Sequence, residues 1–182
     1  MKLKEYLDNA PRTNKDLGSK QLNVFHMVIG LHSEFNEMYD AVNKNNVDLV
    51  NISEEFGDSL WYLGNYCVIE GIHIDKHFSF QENYFFNNED FDFVEQLEVA
   101  VSKLTDVVKK ENVYNKEVQS STKLELVIEI FKRLNDCYTH FGMSPEESME
   151  KNINKLKIRY PEKFTDFHAT NRNLEAEYET LK

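Results

Sequence analysis

The sequence has few of the residues that interrupt helices. Six glycines and three prolines occur in 182 residues, which favours long helices over an architecture of many short strands. The sequence has two cysteines, Cys67 and Cys137, and both lie in apolar surroundings with helical spacing. We interpret them as reduced core residues rather than as a disulfide.

The first ten residues have no signal-peptide core, and no apolar run approaches the length of a membrane span. We therefore expect a cytoplasmic protein that does not bind membranes.

Basic residues are also scarce. Lysine and arginine number 21 and aspartate and glutamate 32, which leaves a formal net charge of −11. Such a chain lacks the basic footprint of a protein that binds nucleic acid or an anionic membrane, and we expect neither partner. A small phosphate ligand stays compatible with this charge, because a bound cation inverts the local field. The length suits one domain with a core of its own, which we assign to residues 1–182.

The sequence contains apolar residues at helical spacing. Stripes of apolar residues three or four apart predict five long helices, at about 22–42, 49–70, 91–111, 121–141 and 145–159. The first two are joined by a short polar link, which favours an antiparallel hairpin. Gly71 is typical of a helix C-cap, and Ser144 followed by Pro145 and Glu147 is typical of a helix start. The predicted fold class is an all-α antiparallel bundle.

Three segments have less regular patterns. The lead-in (1–19) and the C-terminal tail (162–182) are each predicted to contain one short helix, which in the tail lies near residues 172–181. The third segment is an aromatic-rich connector (72–93).

The sequence also contains a faint internal repeat. Asp58 precedes Gly71 by 13 residues, and Glu129 precedes Gly142 by the same 13. Two interpretations stay open, namely a degenerate duplication of the first hairpin and two ordinary helices of similar length. In a duplication, Leu126 would replace an acidic residue, so one site per chain is expected.

Two pairs of carboxylates stand on the first hairpin at three-residue spacing, Glu34 with Glu37 and Glu55 with Asp58. Residues three apart share a helix face, and both pairs lie at the edge of the apolar stripes, so they are expected to face the groove between the helices. Four converging carboxylates repel one another, which implies a metal, shared protons or neighbouring basic residues. Oxygen ligands without histidine favour Mg²⁺ or Mn²⁺ over iron. The alternative is a solvated acidic helix face.

The last long helix carries Asn152, Lys155 and Arg159 at spacings of three and four, next to a core side that includes Tyr160. Lysine and arginine opposite a metal–carboxylate cluster are suited to hold phosphoryl oxygens, whereas the alternative is a solvated basic edge.

Gly57 lies inside a predicted helix, where glycine destabilises the helix by roughly 1 kcal/mol relative to alanine. We interpret it as a point of close approach, either of a ligand or of another helix.

The segments GLHSEFNEM and EEFGDSLWYL, followed by NINKLKIRYPEKF, resemble the MazG-like branch of the all-α nucleoside triphosphate pyrophosphohydrolases. That family is marked by Glu-x-x-Glu, then Glu-x-x-Asp, then Asn-x-x-Lys-Leu-x-x-Arg-Tyr-Pro. The tail ATNRNLEAEYETL and the stretch Ala10-Pro11-Arg12-Thr13 resemble those of short, often phage-borne members. The resemblance covers about 20–71 and 144–180. Residues 72–143 depart from the family pattern, and we interpret them as an insertion or a degenerate repeat.

The resemblance implies a bundle of the MazG/dimeric dUTPase type that hydrolyses a nucleoside triphosphate, canonical or modified, between the α and β phosphates. It implies Mg²⁺, or alternatively Mn²⁺, held by Glu34, Glu37, Glu55 and Asp58. One of these four carboxylates, or the adjacent Glu54, would orient or deprotonate the attacking water. Contacts to phosphates or ribose would come from Asn152, Lys155, Arg159 and Tyr160. We expect a homo-oligomer, either a dimer or a tetramer. Two alternatives stay open: a dimeric-type dUTPase and a catalytically silent helical interaction module.

Overall fold

The computed structural model describes residues 1–43, 47–80 and 93–182, and all regular structure within these ranges is helical. The α-helices are α1 (Leu3–Asn9), α2 (Lys20–Val42), α3 (Leu49–Glu70), α4 (Phe93–Asn112), α5 (Ser120–Phe141), α6 (Pro145–Arg159), α7 (Asp166–Thr170) and α8 (Leu174–Glu179). Two short 3₁₀ helices lie at Ala10–Thr13 and Ile74–Lys76. The predicted all-α fold class is confirmed. Within the described ranges, every helix is too short or too polar to cross a membrane.

The ends of the long helices follow the capping residues. The Ser19 hydroxyl accepts a hydrogen bond from the Leu22 amide and starts α2. The Ser144 hydroxyl accepts one from the Glu147 amide and starts α6, as its sequence predicts. Gly71, at φ 72°, has the left-handed conformation that ends α3. The predicted cap residues of α3 and α6 are therefore confirmed.

The tail differs from its prediction. It contains two short helices, α7 and α8, where the sequence predicted one. The hydroxyl of Thr165 caps α7 by accepting from the His168 amide, and the side-chain oxygen of Asn173 caps α8 by accepting from the Ala176 amide. Helices this short contain too few turns to show apolar periodicity, so only their caps mark them in the sequence. Of the predicted connector, residues 81–92 lie outside the described residues, as does the predicted start of α4 near residue 91.

The core is centred on α2 and α3, which pack along each other. Gly30 faces Tyr62, whereas Glu37, later in α2, meets Glu55, earlier in α3, so the two helices run antiparallel. The buried faces are the predicted stripes, with Val24, Val28, Leu31, Phe35 and Met38 of α2 against Ile52, Phe56, Leu60, Leu63 and Cys67 of α3. Burying each such large side chain stabilises the fold by about 1.5–3 kcal/mol. Both cysteines are buried free thiols.

A second hairpin, α4 and α5, packs beside α2. Lys123 of α5 donates to Glu70 of α3 at 2.5 Å and to Glu111 of α4 at 2.9 Å, which joins the two hairpins at one end. This arrangement suits both a degenerate duplication and an inserted pair of helices. The origin of residues 72–143 and the single-domain assignment therefore stay predictions.

The lead-in attaches α6 to the first hairpin. The Tyr6 hydroxyl donates to Asn152 of α6 at 2.9 Å, and Trp61 of α3 donates its indole N–H to the Ala10 carbonyl at 3.1 Å. Arg12 donates to the carbonyls of Tyr160 and Glu162, each at 2.6 Å. These contacts place the basic line of α6 against the acidic part of α3.

Candidate functional site

Three of the four carboxylates proposed as metal ligands converge in the groove between α2 and α3. One carboxylate oxygen from each of Glu34, Glu37 and Glu55 lies within 4.8 Å of the others. Glu55 is buried, Glu34 partly buried and Glu37 exposed, so this carboxylate trio opens to solvent on the Glu37 side. The i, i+3 spacing places Glu34 and Glu37 on one face of α2, and the antiparallel hairpin brings Glu55 opposite them.

The carboxylate trio carries a proton when it has no cation. Burial is the main cause that raises the pKa of Glu34 and of Glu55 above the ordinary range, and the charges of Asp58 and Glu37 raise both pKa values further. Glu34 and Glu55 lie close enough for one carboxyl group, when protonated, to donate to the other, which also raises the pKa of Glu34. A divalent cation would replace that proton and relieve the repulsion. Carboxylate oxygens without histidine fit Mg²⁺ or Mn²⁺.

Asp58, the fourth carboxylate, is bound to α6. Its Oδ1 accepts from Asn152 Nδ2 at 2.6 Å, and its Oδ2 accepts from Lys155 Nζ at 2.5 Å. After burial, its charge is the largest contribution that raises the pKa values of Glu34 and Glu55. Asp58 therefore lies beside the carboxylate trio while its own hydrogen bonds run to the neighbouring helix.

Asn152 and Lys155 are buried, with exposed fractions of 2% and 1%. Lys155 also donates to Glu54 at 3.1 Å. Burial alone would lower the pKa of Lys155, but the charges of Asp58 and Glu54 more than offset it and the pKa is raised. The predicted substrate contacts of Asn152 and Lys155 stay predictions. The contacts they make in this structure, to Asp58 and Glu54, were not expected from the sequence.

Gly57 allows this close packing of α3 on α6. A Cβ atom at Gly57 would lie 3.0 Å from Cβ of Asn152 and 3.3 Å from the Ser148 carbonyl oxygen. Of the two interpretations of this glycine, the structure therefore shows the approach of a helix.

A cavity of about 180 Å³ adjoins the carboxylates. Glu34 and Asp58 line the side nearest the trio, and Lys15 and Arg159 contribute cationic groups. Lys15 also lies over the ring of Phe164, 5.4 Å from its centre, and donates to Asp166 at 2.5 Å. The cavity is thus bordered by carboxylates on one side and by basic groups from the lead-in and from α6.

Most of the remaining lining is an aromatic wall, formed by His26, Trp61, Tyr62, Tyr160 and Phe164. Tyr62 packs edge-on against Trp61, with ring centres 4.9 Å apart, and against His26 at 5.8 Å. Burial, with Glu34 and Asp58 adding to it, raises the pKa of Tyr62 to about 12, so its phenol is a neutral hydrogen-bond donor or acceptor. At Gly30 of α2 a Cβ atom would overlap the ring of Tyr62, so the glycine permits this position of the ring.

Arg159 is held in the wall of the cavity by a residue that the sequence did not single out. Its Nη2 donates to Glu177 Oε2 at 2.6 Å, and its Nε lies 3.2 Å from both carboxylate oxygens of Glu177. Lys15, His26, Phe164 and Glu177 were all missed by the sequence interpretation. Lys15, His26 and Glu177 lie outside the acidic and basic motifs, whereas Phe164 is the last residue of NINKLKIRYPEKF. All four are brought to the site by the packing of the lead-in, α2 and the tail.

Comparison with known proteins gives a family match in the region of the acidic pairs. The model of the MazG nucleotide pyrophosphohydrolase domain matches residues 25–84, a range that includes Glu34, Glu37, Glu55 and Asp58. No curated protein and no solved structure matches the chain. The match covers about a third of the chain, and it confirms the resemblance to the MazG-like superfamily seen in the sequence. That family implies nucleotide pyrophosphohydrolase activity and is typically dependent on divalent metals.

Proposed function

We propose, on the premise of the superfamily membership that the family match supports, that the chain is a Mg²⁺-dependent nucleoside triphosphate pyrophosphohydrolase. It cleaves the anhydride between the α and β phosphates of (d)NTPs and releases a nucleoside monophosphate and pyrophosphate. The observation that carries this proposal is the convergence of Glu34, Glu37 and Glu55 within 4.8 Å beside a cavity with basic groups in its wall.

Glu34, Glu37, Glu55 and Asp58 are the residues that would hold Mg²⁺. When bound, the ion neutralises phosphate oxygens and lowers the pKa of the attacking water. Lys155 and Asn152 hold both oxygens of Asp58, so α6 fixes the position of this carboxylate beside the trio. The carboxylates repel one another, which contributes to the raised pKa values of Glu34 and Glu55. This repulsion supports the binding of a cation at the trio.

Glu54 is the carboxylate to which we assign the orientation of the attacking water. It is adjacent to Glu55 but is not one of the three converging carboxylates. Lys155 donates to it at 3.1 Å and so holds its side chain on the side of Asp58. About a quarter of the Glu54 side chain is exposed (25%), so water reaches it.

The cavity beside the carboxylates is the proposed nucleotide site. Arg159 would contact phosphate oxygens, because guanidinium groups bind them through paired donors. The aromatic wall offers ring faces and edges against which a base or ribose packs. Asn152 and Lys155 would act on the substrate mainly through Asp58, since Asn152 Nδ2 and Lys155 Nζ both donate to it. The homo-oligomer and the cytoplasmic location remain predictions.

A nucleotide panel tests this proposal. Pyrophosphate release is measured for canonical, modified and uracil-containing triphosphates, once with Mg²⁺ and once with a chelator. Mg²⁺-dependent release of pyrophosphate from several nucleotides supports the broad activity. Turnover of dUTP alone would instead favour the dimeric-type dUTPase. A complete lack of Mg²⁺-dependent release would favour the silent interaction module and contradict the enzyme.

A further inference from the structure

Glu177 of α8 is a buried carboxylate between two arginines. Its side chain is 3% exposed. Arg159 binds it from α6, and Arg172 donates its Nη2 to the same Oε2 at 2.6 Å. Burial would raise the pKa of Glu177, but the hydrogen bonds from the two arginines outweigh it and the pKa is lowered. Glu177 is therefore ionised at neutral pH and bound on two sides.

Arg159 connects the ion pairs of Glu177 to the proposed nucleotide site. Arg159 lines the cavity with Glu34 and Asp58, whereas Glu177 and Arg172 do not line it. Glu177 binds the Nε and Nη2 of Arg159. Among the described residues, no hydrogen bond engages its Nη1. The two arginines and one glutamate sum to a charge of +1, so the group stays cationic although Arg159 is paired.

We propose that Glu177 is a positioning residue, which holds the guanidinium of Arg159 in the cavity wall where it meets the triphosphate of the substrate. This inference rests on the proposed function and assigns a role in it to the C-terminal tail. A free arginine side chain populates many rotamers and loses that entropy when its guanidinium is fixed. Fixing the guanidinium before the substrate arrives removes much of that cost from binding. The tail thereby completes a site whose acidic half lies on α2 and α3.

The packing of α8 supports this role. The helix lies against α6, and Leu181, just after it, is 2% exposed. The Asn173 side chain caps α8 at its start, and the Thr180 hydroxyl donates to the Glu177 carbonyl at 2.6 Å. Glu177 is therefore presented from a fixed backbone, which a positioning residue requires.

The test compares Glu177→Gln with Glu175→Gln, which removes the same charge from an exposed position of the same helix. Binding of inorganic tripolyphosphate with Mg²⁺ is measured by calorimetry, and KM and kcat for pyrophosphate release are measured in parallel. We expect Glu177→Gln to raise both the tripolyphosphate Kd and KM roughly tenfold, with a smaller change in kcat. Glu175→Gln should match the wild type in both assays.

A second substitution separates positioning from simple stabilisation of the fold. Glu177→Asp keeps the charge but withdraws the carboxylate by one methylene, and we expect it to weaken tripolyphosphate binding while the melting temperature stays near that of the wild type. In an Arg159→Gln background, Glu177→Gln should add no further increase in Kd, because its effect passes through Arg159. An equal increase in both backgrounds would contradict the inference.

The two assays also distinguish this inference from the hydrolase proposal. If the wild type binds tripolyphosphate but releases no pyrophosphate, the hydrolase proposal fails, and the Kd values still decide the role of Glu177. An unchanged or lower Kd in both Glu177 variants overturns the inference, even if the enzyme is active. A wild type without measurable affinity for tripolyphosphate overturns it as well.

Discussion

Asp58 and Lys155 form an ion pair that joins α3 to α6, with 2.5 Å between Nζ and Oδ2 and 97 positions between the two residues in the sequence. The lysine is 1% exposed and the aspartate 24%. Through this pair, the helix that follows the second hairpin is tied to the acidic hairpin. The orientation of one proposed metal ligand therefore depends on α6.

Replacing Lys155 by methionine should lower the free energy of unfolding. Two carboxylates, Asp58 and Glu54, would lose the cation that neutralises them, and breaking a buried pair of this kind costs several kcal/mol. Both carboxylates are about a quarter exposed, so water partly screens their charges. We therefore expect the free energy of unfolding to fall by about 2–3 kcal/mol. Urea unfolding monitored by circular dichroism measures it. Lys157→Met, at an exposed position of α6, is the control and should change stability by less than about 0.5 kcal/mol.

Gly30→Ala should disturb the aromatic wall. The added methyl overlaps the ring of Tyr62, so either the ring or α2 must shift, at a cost of about 1–3 kcal/mol. Trp61, the sole tryptophan, packs on Tyr62 and reports the shift through its fluorescence and near-ultraviolet circular dichroism. Ser33→Ala, on the exposed side of α2, should leave both spectra unchanged. An unaltered Trp61 spectrum in Gly30→Ala would show that the ring position does not depend on this glycine.

The carboxylate trio should make stability depend on pH and metal together. The pKa values of Glu34 and Glu55 are raised in the folded chain above the ordinary value of 4.5. The unfolded chain therefore binds fewer protons than the folded one above that value, and stability falls as pH rises through the folded pKa values. In the presence of a chelator, we expect the melting temperature of the protein to fall between about pH 6 and about pH 8.5. With Mg²⁺ the melting temperature should fall less.

The same experiment on Glu34→Gln provides its control. The glutamine cannot ionise, so one of the raised pKa values disappears and the chelated variant should keep more of its melting temperature at the higher pH. Mg²⁺ should stabilise this variant less than the wild type, because one ligand is lost. Equal stabilisation of both proteins by Mg²⁺ at both pH values would argue against a metal site at the trio.

The sequence was sufficient for the parts of the site that depend on helix periodicity. The spacing of Glu34 and Glu37 against the apolar stripe predicted their face, and the short link between α2 and α3 predicted that Glu55 would meet them. Both follow from local geometry, which a sequence records directly. Gly71 and Ser144 likewise identified helix ends through their own conformational and capping preferences.

The other half of the site depends on contacts between distant segments. Lys15 and Phe164 line the cavity, and Glu177 contacts Arg159 in its wall, only because the lead-in and tail pack on α3 and α6. Nothing in their local pattern records that packing, since α7 and α8 are too short to show apolar periodicity. For the same reason the sequence placed Asn152 and Lys155 on the correct helix but did not predict that Asp58 would accept hydrogen bonds from both.

The most direct measurement of the central proposal is pyrophosphate release by the wild type and by Glu55→Gln, each with Mg²⁺ and with a chelator. Glu125→Gln, exposed on α5, is the matched control. If the trio binds the catalytic ion, the wild type and Glu125→Gln release pyrophosphate only with Mg²⁺, and Glu55→Gln is slower by about 100-fold or more. Undiminished Mg²⁺-dependent release by Glu55→Gln, or no release by the wild type from any nucleotide, would contradict it.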